Sequence, residues 1–220
     1  IDLEAARSRG ITVLNTPTST SIAVAEHTLA LMLSLSRSIP RADASMKSGE
    51  WLKKELMGVE LFQKTLGVIG MGNIGSEVSR RAAAFGMSVI AHDPIISAEQ
   101  IRQRGAEPVS LPELYTRSDF ISIHVPLTDE TQGMISVQAI GGMKRGVRLI
   151  CDARGGVIDE EALLSALESG QVAGAALDVF TQEPPGKSAL VLHPNVIATP
   201  HIGAQTVEAQ ERAAMDIAIN

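Results

Sequence analysis

The stretch Thr65–Gly75, T-L-G-V-I-G-M-G-N-I-G, constrains this chain more than any other. Leu66, Val68 and Ile69 read as a short buried strand that runs into Gly70-Met71-Gly72-Asn73-Ile74-Gly75. Val78, Ala82 and Phe85 then recur on one face of a helix. A strand that enters a helix through G-x-G-x-x-G turns tightly at the first glycine and brings its backbone near a pyrophosphate at the second. It packs helix on sheet at the third. The helix N-terminus faces the phosphates with unpaired N–H groups and the positive end of its dipole. Gly70, Gly72 and Gly75 are therefore candidate cofactor-binding residues.

From Thr65 onward, strand-like and helix-like segments alternate, as a parallel α/β sheet requires. The strands are expected at Leu66–Ile69, Ser88–Ala91, Phe120–His124, Val147–Cys151, Gly174–Leu177 and Val196–Ala198. Helices are expected at about Ile74–Phe85, Ala98–Arg104, Leu111–Arg117, Val137–Gly141 and Glu160–Ser169. The strand runs are apolar throughout, as in a sheet covered on both faces. The pattern predicts a Rossmann-type doubly wound α/β fold with ligands at the strand C-terminal ends. Ahead of it lie a short helix over residues 2–9, a brief strand Ile11–Leu14 and a long apolar helix from about Ile22 to Ser36. That helix should be buried on more than one side, in the core or in a subunit contact. Residues 40–63 are a polar excursion carrying the only tryptophan, Trp51, which fits local packing and an interface equally.

Four side chains at expected strand ends could carry chemistry. Asp93 lies 18 residues after Gly75 in A-H-D-P. There it can accept from adenosine ribose hydroxyls and repel a 2′-phosphate, favouring NAD over NADP; the plainer reading is a turn aspartate before Pro94. Arg154, followed by two glycines, could pair with a carboxylate in the crevice or simply form a surface ion pair. Glu183 precedes Pro184, and His201 lies in T-P-H-I-G-A. A loop glutamate is usually solvated and a lone histidine usually structural, but together they could form an imidazole oriented by a carboxylate. Glu26-His27 reads as a buried polar pair or a helix-surface pair, and Cys151 as a buried strand residue.

Composition removes several classes. The net charge of −6 without a basic run argues against a nucleic-acid partner and for a small-molecule substrate. Cys151, the only cysteine, forms no internal disulfide, so a cytoplasmic location is the expectation. The longest apolar run, around Leu29–Leu35, is too short to span a membrane. His124 and His193 lack companions at ligand spacing, so no metal is expected.

Taken in order, V-I-G-M-G-N-I-G, A-H-D-P, H-V-P-L-T, A-R-G-G-V-I-D-E, G-A-A-L-D-V-F-x-x-E-P-P and T-P-H-I-G-A resemble the D-isomer-specific 2-hydroxyacid dehydrogenases over essentially the whole chain. I-D-L-E-A-A, N-T-P, A-E-H-T and D-A-S-M-K-S-G-E-W bring it nearest the branch that oxidises 3-phosphoglycerate, the first step of serine biosynthesis. The resemblance implies that Arg154 holds the substrate carboxylate and carbonyl, that His201 takes the hydroxyl proton, and that Glu183 raises the basicity of the imidazole. It implies NAD as cofactor, with the backbone of Asn73 and Ile74 at the pyrophosphate and Asp93 at the ribose. Val125, Asp152, Ala153, Asp178, Gly203 and Ala204 would line the nicotinamide side, and a homodimer would form through the NAD-binding domain.

The chain departs from the family pattern at Cys151-Asp152, where relatives usually carry Asn followed by Cys or Val, and at Asn73, where many carry Arg. An ionised Asp152 beside the nicotinamide would favour its oxidised, positively charged form. By the same resemblance, residues 1–15 are a stub of a substrate-binding domain, 16–205 the NAD-binding domain and 206–220 a helix returning to the substrate-binding domain. Such a piece should bind NAD with little turnover. Other members of the family, reducing hydroxypyruvate or glyoxylate or acting on D-lactate, and dinucleotide-sensing corepressors that resemble them, are the alternative readings.

Overall fold

In the computed structural model, which describes residues 2–16 and 18–219, one parallel sheet organises the chain. Its strands are β1 (Thr65–Ile69), β2 (Ser88–His92), β3 (Glu107–Pro108), β4 (Phe120–Ile123), β5 (Val147–Cys151), β6 (Val172–Leu177) and β7 (Val196–Ala198). They lie in the order β3-β2-β1-β4-β5-β6-β7, every neighbouring pair parallel. The chain winds outward from β1 to one edge and returns to β4 to build the other half. The strand order reverses between β1 and β4, and at such a point an open sheet leaves its crevice.

The apolar strand runs conceal a two-residue alternation. Leu66, Val68, Phe120, Ile150 and Ala176 fill one face, beneath α2 (Ser21–Arg37) and α4 (Asn73–Ala84). Ile69, Ile121, Ile123, Leu149 and Leu177 fill the other, beneath α6 (Leu111–Arg117), α7 (Val137–Gly141) and α8 (Glu160–Glu168). Successive strand side chains point to opposite faces, so a strand covered on both sides needs apolar residues at every position. The buried arc of α2 is broad, taking in Ala23, Val24, Ala25, Thr28, Leu29, Leu31, Met32 and Ser36, while Ile22, Glu26 and Ala30 remain exposed. Of the two readings left open for the long helix, core or subunit contact, these residues take the core.

The remaining helices are α1 (Leu3–Ser8), α3 (Ile39–Lys47), α5 (Ala98–Gln103), α9 (Ala189–Leu192) and α10 (Val207–Ile219). Serines reading the local chemistry start α5 and α6: Ser97 and Ser110 each accept from the backbone three residues on, while Gln100 and Glu113 reach back in full capping boxes.

Three expectations need correction. Ile11–Leu14 is not a strand: it has no ladder partner among the described residues and is exposed, so a β-prone run alone is insufficient there. The sheet has a seventh strand, the two-residue β3, paired with Ile90 and Ala91 of β2 and too short and polar to show in the sequence. The polar excursion contains α3, begun by Ser38 in the left-handed region (φ 51°) with Pro40 at its first turn. Trp51 beyond it is 76% exposed, which removes the local-packing reading.

Candidate active site

The glycine turn has the backbone that its sequence requires. Gly70 sits at φ +91°, and a Cβ on it would meet the His124 carbonyl oxygen at 2.7 Å. Gly75 lies under the turn, where an added Cβ would stand 2.1 Å from the Gly70 carbonyl oxygen. Gly72 is the N-cap of α4 and faces open space, and no side chain among the described residues caps the helix. The first N–H groups of α4, starting at Asn73 and Ile74, are thus left to an outside acceptor, which is the chemistry of a phosphate.

Asp93, just past the end of β2, holds this turn from the side. Its Oδ2 accepts from the Met71 N–H at 2.8 Å, and its Oδ1 accepts from Ile95 N–H at 2.8 Å and Ile96 N–H at 3.3 Å. The turn role weighed from the sequence is therefore present. Oδ1 is filled by its two N–H donors, but Oδ2 retains a lone pair for a hydroxyl, so the turn role coexists with the ribose role. Arg104 braces the same loop through the Met71 carbonyl oxygen.

Across the sheet ends lies a cleft of about 450 Å³ lined by, among others, Ile74, Val125, Asp152, Ala153, Arg154, Asp178, His201, Gly203 and Ala204. The loops after β1, β4, β5, β6 and β7 thus converge on one space. Glu183 stands behind it: its Oε2 lies 2.8 Å from His201 Nδ1, and its Oε1 accepts from Phe180 N–H at 3.1 Å. Pairing with His201 pulls the Glu183 carboxyl below its ordinary range. A carboxylate on Nδ1 holds the ring proton there and leaves Nε2 as the free base. His201 sits at φ 54°, a conformation that costs energy for a residue with a Cβ. Asp178 maintains it by accepting from Ile202 N–H (2.9 Å), Gly203 N–H (2.8 Å) and the Thr199 hydroxyl (2.6 Å). Burial opposes the Asp178 charge, but these donors and His27 outweigh it and hold the carboxyl at about 2.

Thr16, Thr20, Val24, His124 and Pro126 also line the cleft outside the set of expected residues, and two residues that hold its carboxylates escape the sequence reading as well. His27, placed there in a pair with Glu26, instead directs Nε2 to Asp178 Oδ1 (3.4 Å) and Thr199 Oγ1 (3.3 Å). The hydrogen bond to Asp178 raises its pKa against the effect of burial. Glu26 points away to Arg81. Thr28 Oγ1 lies 2.8 Å from Asp152 Oδ2 and 2.8 Å from the Val24 carbonyl oxygen, so the two share its single proton. No local pattern announces either contact, since the partners lie far along the chain. His124 also borders the cleft; its Nε2 meets the Ser122 hydroxyl at 2.8 Å, and burial holds its pKa at about 4. Cys151 is buried in β5 as expected, its thiol pushed up to about 12 by desolvation.

Residues 29–203 match the family described as D-isomer specific 2-hydroxyacid dehydrogenase, NAD binding domain. The chain belongs to that family. Over 219 residues it is 51% identical to human D-3-phosphoglycerate dehydrogenase, and over 217 residues it is 50% identical to the Bacillus subtilis enzyme of the same name. These alignments cover 100% and 99% of this chain but only 41% of either relative. Among solved structures, a glyoxylate reductase from Paecilomyes thermophila superposes with a TM-score of 0.90 at 39% identity, over 98% of this chain and 65% of that one. The D-lactate dehydrogenase of Aquifex aeolicus complexed with NAD and lactic acid superposes with a TM-score of 0.85 at 38% identity, over 99% and 70%. As a 2-hydroxyacid dehydrogenase NAD-binding domain, the chain has NAD as its cofactor, and the uncapped α4 and open Gly72 fit its pyrophosphate. No helix among the described residues is long and apolar enough to cross a membrane.

Proposed function

We propose that this chain is the cofactor half of an enzyme that oxidises D-3-phosphoglycerate to 3-phosphohydroxypyruvate. The observation that carries the chemistry is the His201–Glu183 pair, with Glu183 behind a His201 that lines the same cleft as Arg154. Arg154 lines the cleft, and its Nη1 donates to the Ala153 carbonyl oxygen at 2.6 Å. The remaining donors can grip a substrate carboxylate and the neighbouring oxygen. His201 Nε2 accepts the hydroxyl proton, and Glu183 stabilises the resulting imidazolium through Nδ1. The bound dinucleotide supplies the hydride acceptor. The backbone of Gly70, Gly72, Asn73, Ile74 and Gly75 cradles its pyrophosphate and Asp93 takes its ribose. Val125, Asp152, Ala153, Asp178, Gly203 and Ala204 enclose its reacting end. The choice of substrate within the family is supported by the identity to phosphoglycerate dehydrogenases.

Residues 16–205 form the cofactor domain in this reading. Residues 1–15 and 206–220 lead to a substrate-binding domain that completes the pocket, so the 220-residue chain alone turns over little. Ser19 ties to this end of the fold, bonding Asp216 at 2.6 Å and Arg212 at 3.0 Å. The exposed Trp51 and Met57 mark the surface through which two cofactor domains pair, and a cytoplasmic location accords with the single buried thiol. The test is NAD+ reduction by the full-length protein with 3-phosphoglycerate, D-lactate and glycolate. A kcat/KM at least tenfold higher for 3-phosphoglycerate is expected; a preference for either other acid would contradict the assignment.

A further inference from the structure

The cleft holds one carboxylate whose charge nothing in the fold fully answers. Asp152 is 7% exposed, and its Oδ2 takes the Thr28 hydroxyl. Its Oδ1 is buried with no hydrogen-bond partner among the described residues. Asp178 offers the contrast: it is also buried, yet each of its oxygens receives backbone or hydroxyl donors. A half-satisfied buried carboxylate costs folding free energy unless something else compensates it. Burial accordingly pushes the Asp152 carboxyl up to about 6, with only Thr28 and the charge of His27 working the other way. Such a group, at the end of the central β5 and lining the cofactor cleft, is a stability cost set at a functional position.

We propose that Asp152 is a specificity-determining residue for the oxidation state of the dinucleotide: its unanswered carboxylate draws the positively charged oxidised nicotinamide into the cleft and gives the neutral reduced form no comparable gain. This rests on the nicotinamide end occupying the Asp152–His201 cleft. The difference between the two forms is one unit of charge, and opposite charges facing each other across a partly enclosed cleft favour the charged form by on the order of tenfold. The other charged or titratable groups that line the cleft are Arg154 beside Asp152, Asp178 after β6, His124 after β4 and His201, with His27 from α2 and Glu183 behind them. All of them persist when Asp152 alone is changed, so a comparison with the substituted chain isolates its contribution. Thr28 is the positioning residue, holding Oδ2 while Oδ1 stays buried without a partner among the described residues. The consequence for catalysis is directional: a site that retains NAD+ over NADH favours oxidation of the hydroxy acid and eases departure of the reduced cofactor.

The experiment is a pair of titrations at pH 8 on the chain and on Asp152→Asn, which keeps the side-chain shape and can still accept from Thr28. NADH binding is read by its fluorescence, and NAD+ binding by displacement of NADH. The substitution is expected to weaken NAD+ about tenfold and to leave NADH within about twofold. Asp152→Cys provides the same readout if the asparagine variant fails to fold. An unchanged ratio of the two affinities, or an equal loss of both forms, would overturn the proposal and leave Asp152 a structural residue. If the unsubstituted chain binds neither form, the placement of the cofactor itself fails and the proposal falls with it, a result distinct from a constant ratio in a chain that binds both.

Discussion

At the residue scale, the cleft holds charges maintained by opposite means. Asp178 is ionised because donors surround it, while Asp152 is ionised at neutral pH in spite of its surroundings. The folded pKa of Asp152, about 6, lies above its ordinary 3.8. The folded state therefore holds the proton more tightly between those values, and stability is lost as the pH rises through this window. Replacing Asp152 by asparagine removes that loss. At pH 8, without dinucleotide, Asp152→Asn should stabilise the chain by roughly 1–2 kcal/mol, the shift less the cost of its own buried amide. At pH 4 it should be neutral. Urea titrations at the two pH values check this, and a variant equally or less stable at pH 8 would contradict it. In the proposed reaction Glu183 acts on the chemistry through His201. In the full-length enzyme Glu183→Gln should lower kcat about a hundredfold with little change in KM, because it weakens the base without touching the carboxylate grip. A kcat within threefold of the original would count against the pair.

Much of this scale was legible in the chain. Arg154, Glu183 and His201 announce themselves through glycine and proline neighbours and strand ends. His27 and Thr28 do not, because their meaning depends on Asp178 and Asp152 arriving from the far side of the sheet, for Thr28 across 124 residues. A helix pattern shows that these positions are on α2, not which carboxylate waits beneath them.

At the scale of elements, the turn between β1 and α4 bears the tightest steric constraint. Gly75→Ala places a methyl group 2.1 Å from the Gly70 carbonyl oxygen, so the helix must move off the sheet. The expected cost is about 1–3 kcal/mol, with dinucleotide binding lost alongside, because the displaced amides no longer point at one pyrophosphate. Chemical denaturation and NADH titration of the same variant check both; full stability with unchanged binding would show that the turn can relax. Strands with long apolar runs were readable because both sheet faces are buried. β3 was not, since a two-residue edge strand is defined by its neighbour and not by its own residues. Ile11–Leu14 failed for the reverse reason, having the composition of a strand and no ladder to join.

For the whole molecule, the sheet order explains why loops from five strands reach one cleft: the reversal between β1 and β4 opens it, and every parallel strand points its C-terminal end the same way. The surface carrying Trp51 and Met57 (76% and 90% exposed) is the expected contact between two copies. Light scattering at micromolar concentration should give a dimer, and Trp51→Glu with Met57→Glu should give a monomer; a monomeric parent would refute the pairing. A bound dinucleotide is expected to set its pyrophosphate on the glycine turn and its ribose against Asp93. Calorimetric titration of the chain with NAD+ and with NADP+ tests this most directly. One saturable NAD+ site per chain, with NADP+ at least tenfold weaker, is the predicted result; no saturable NAD+ binding, or equal affinity for the two, would contradict it.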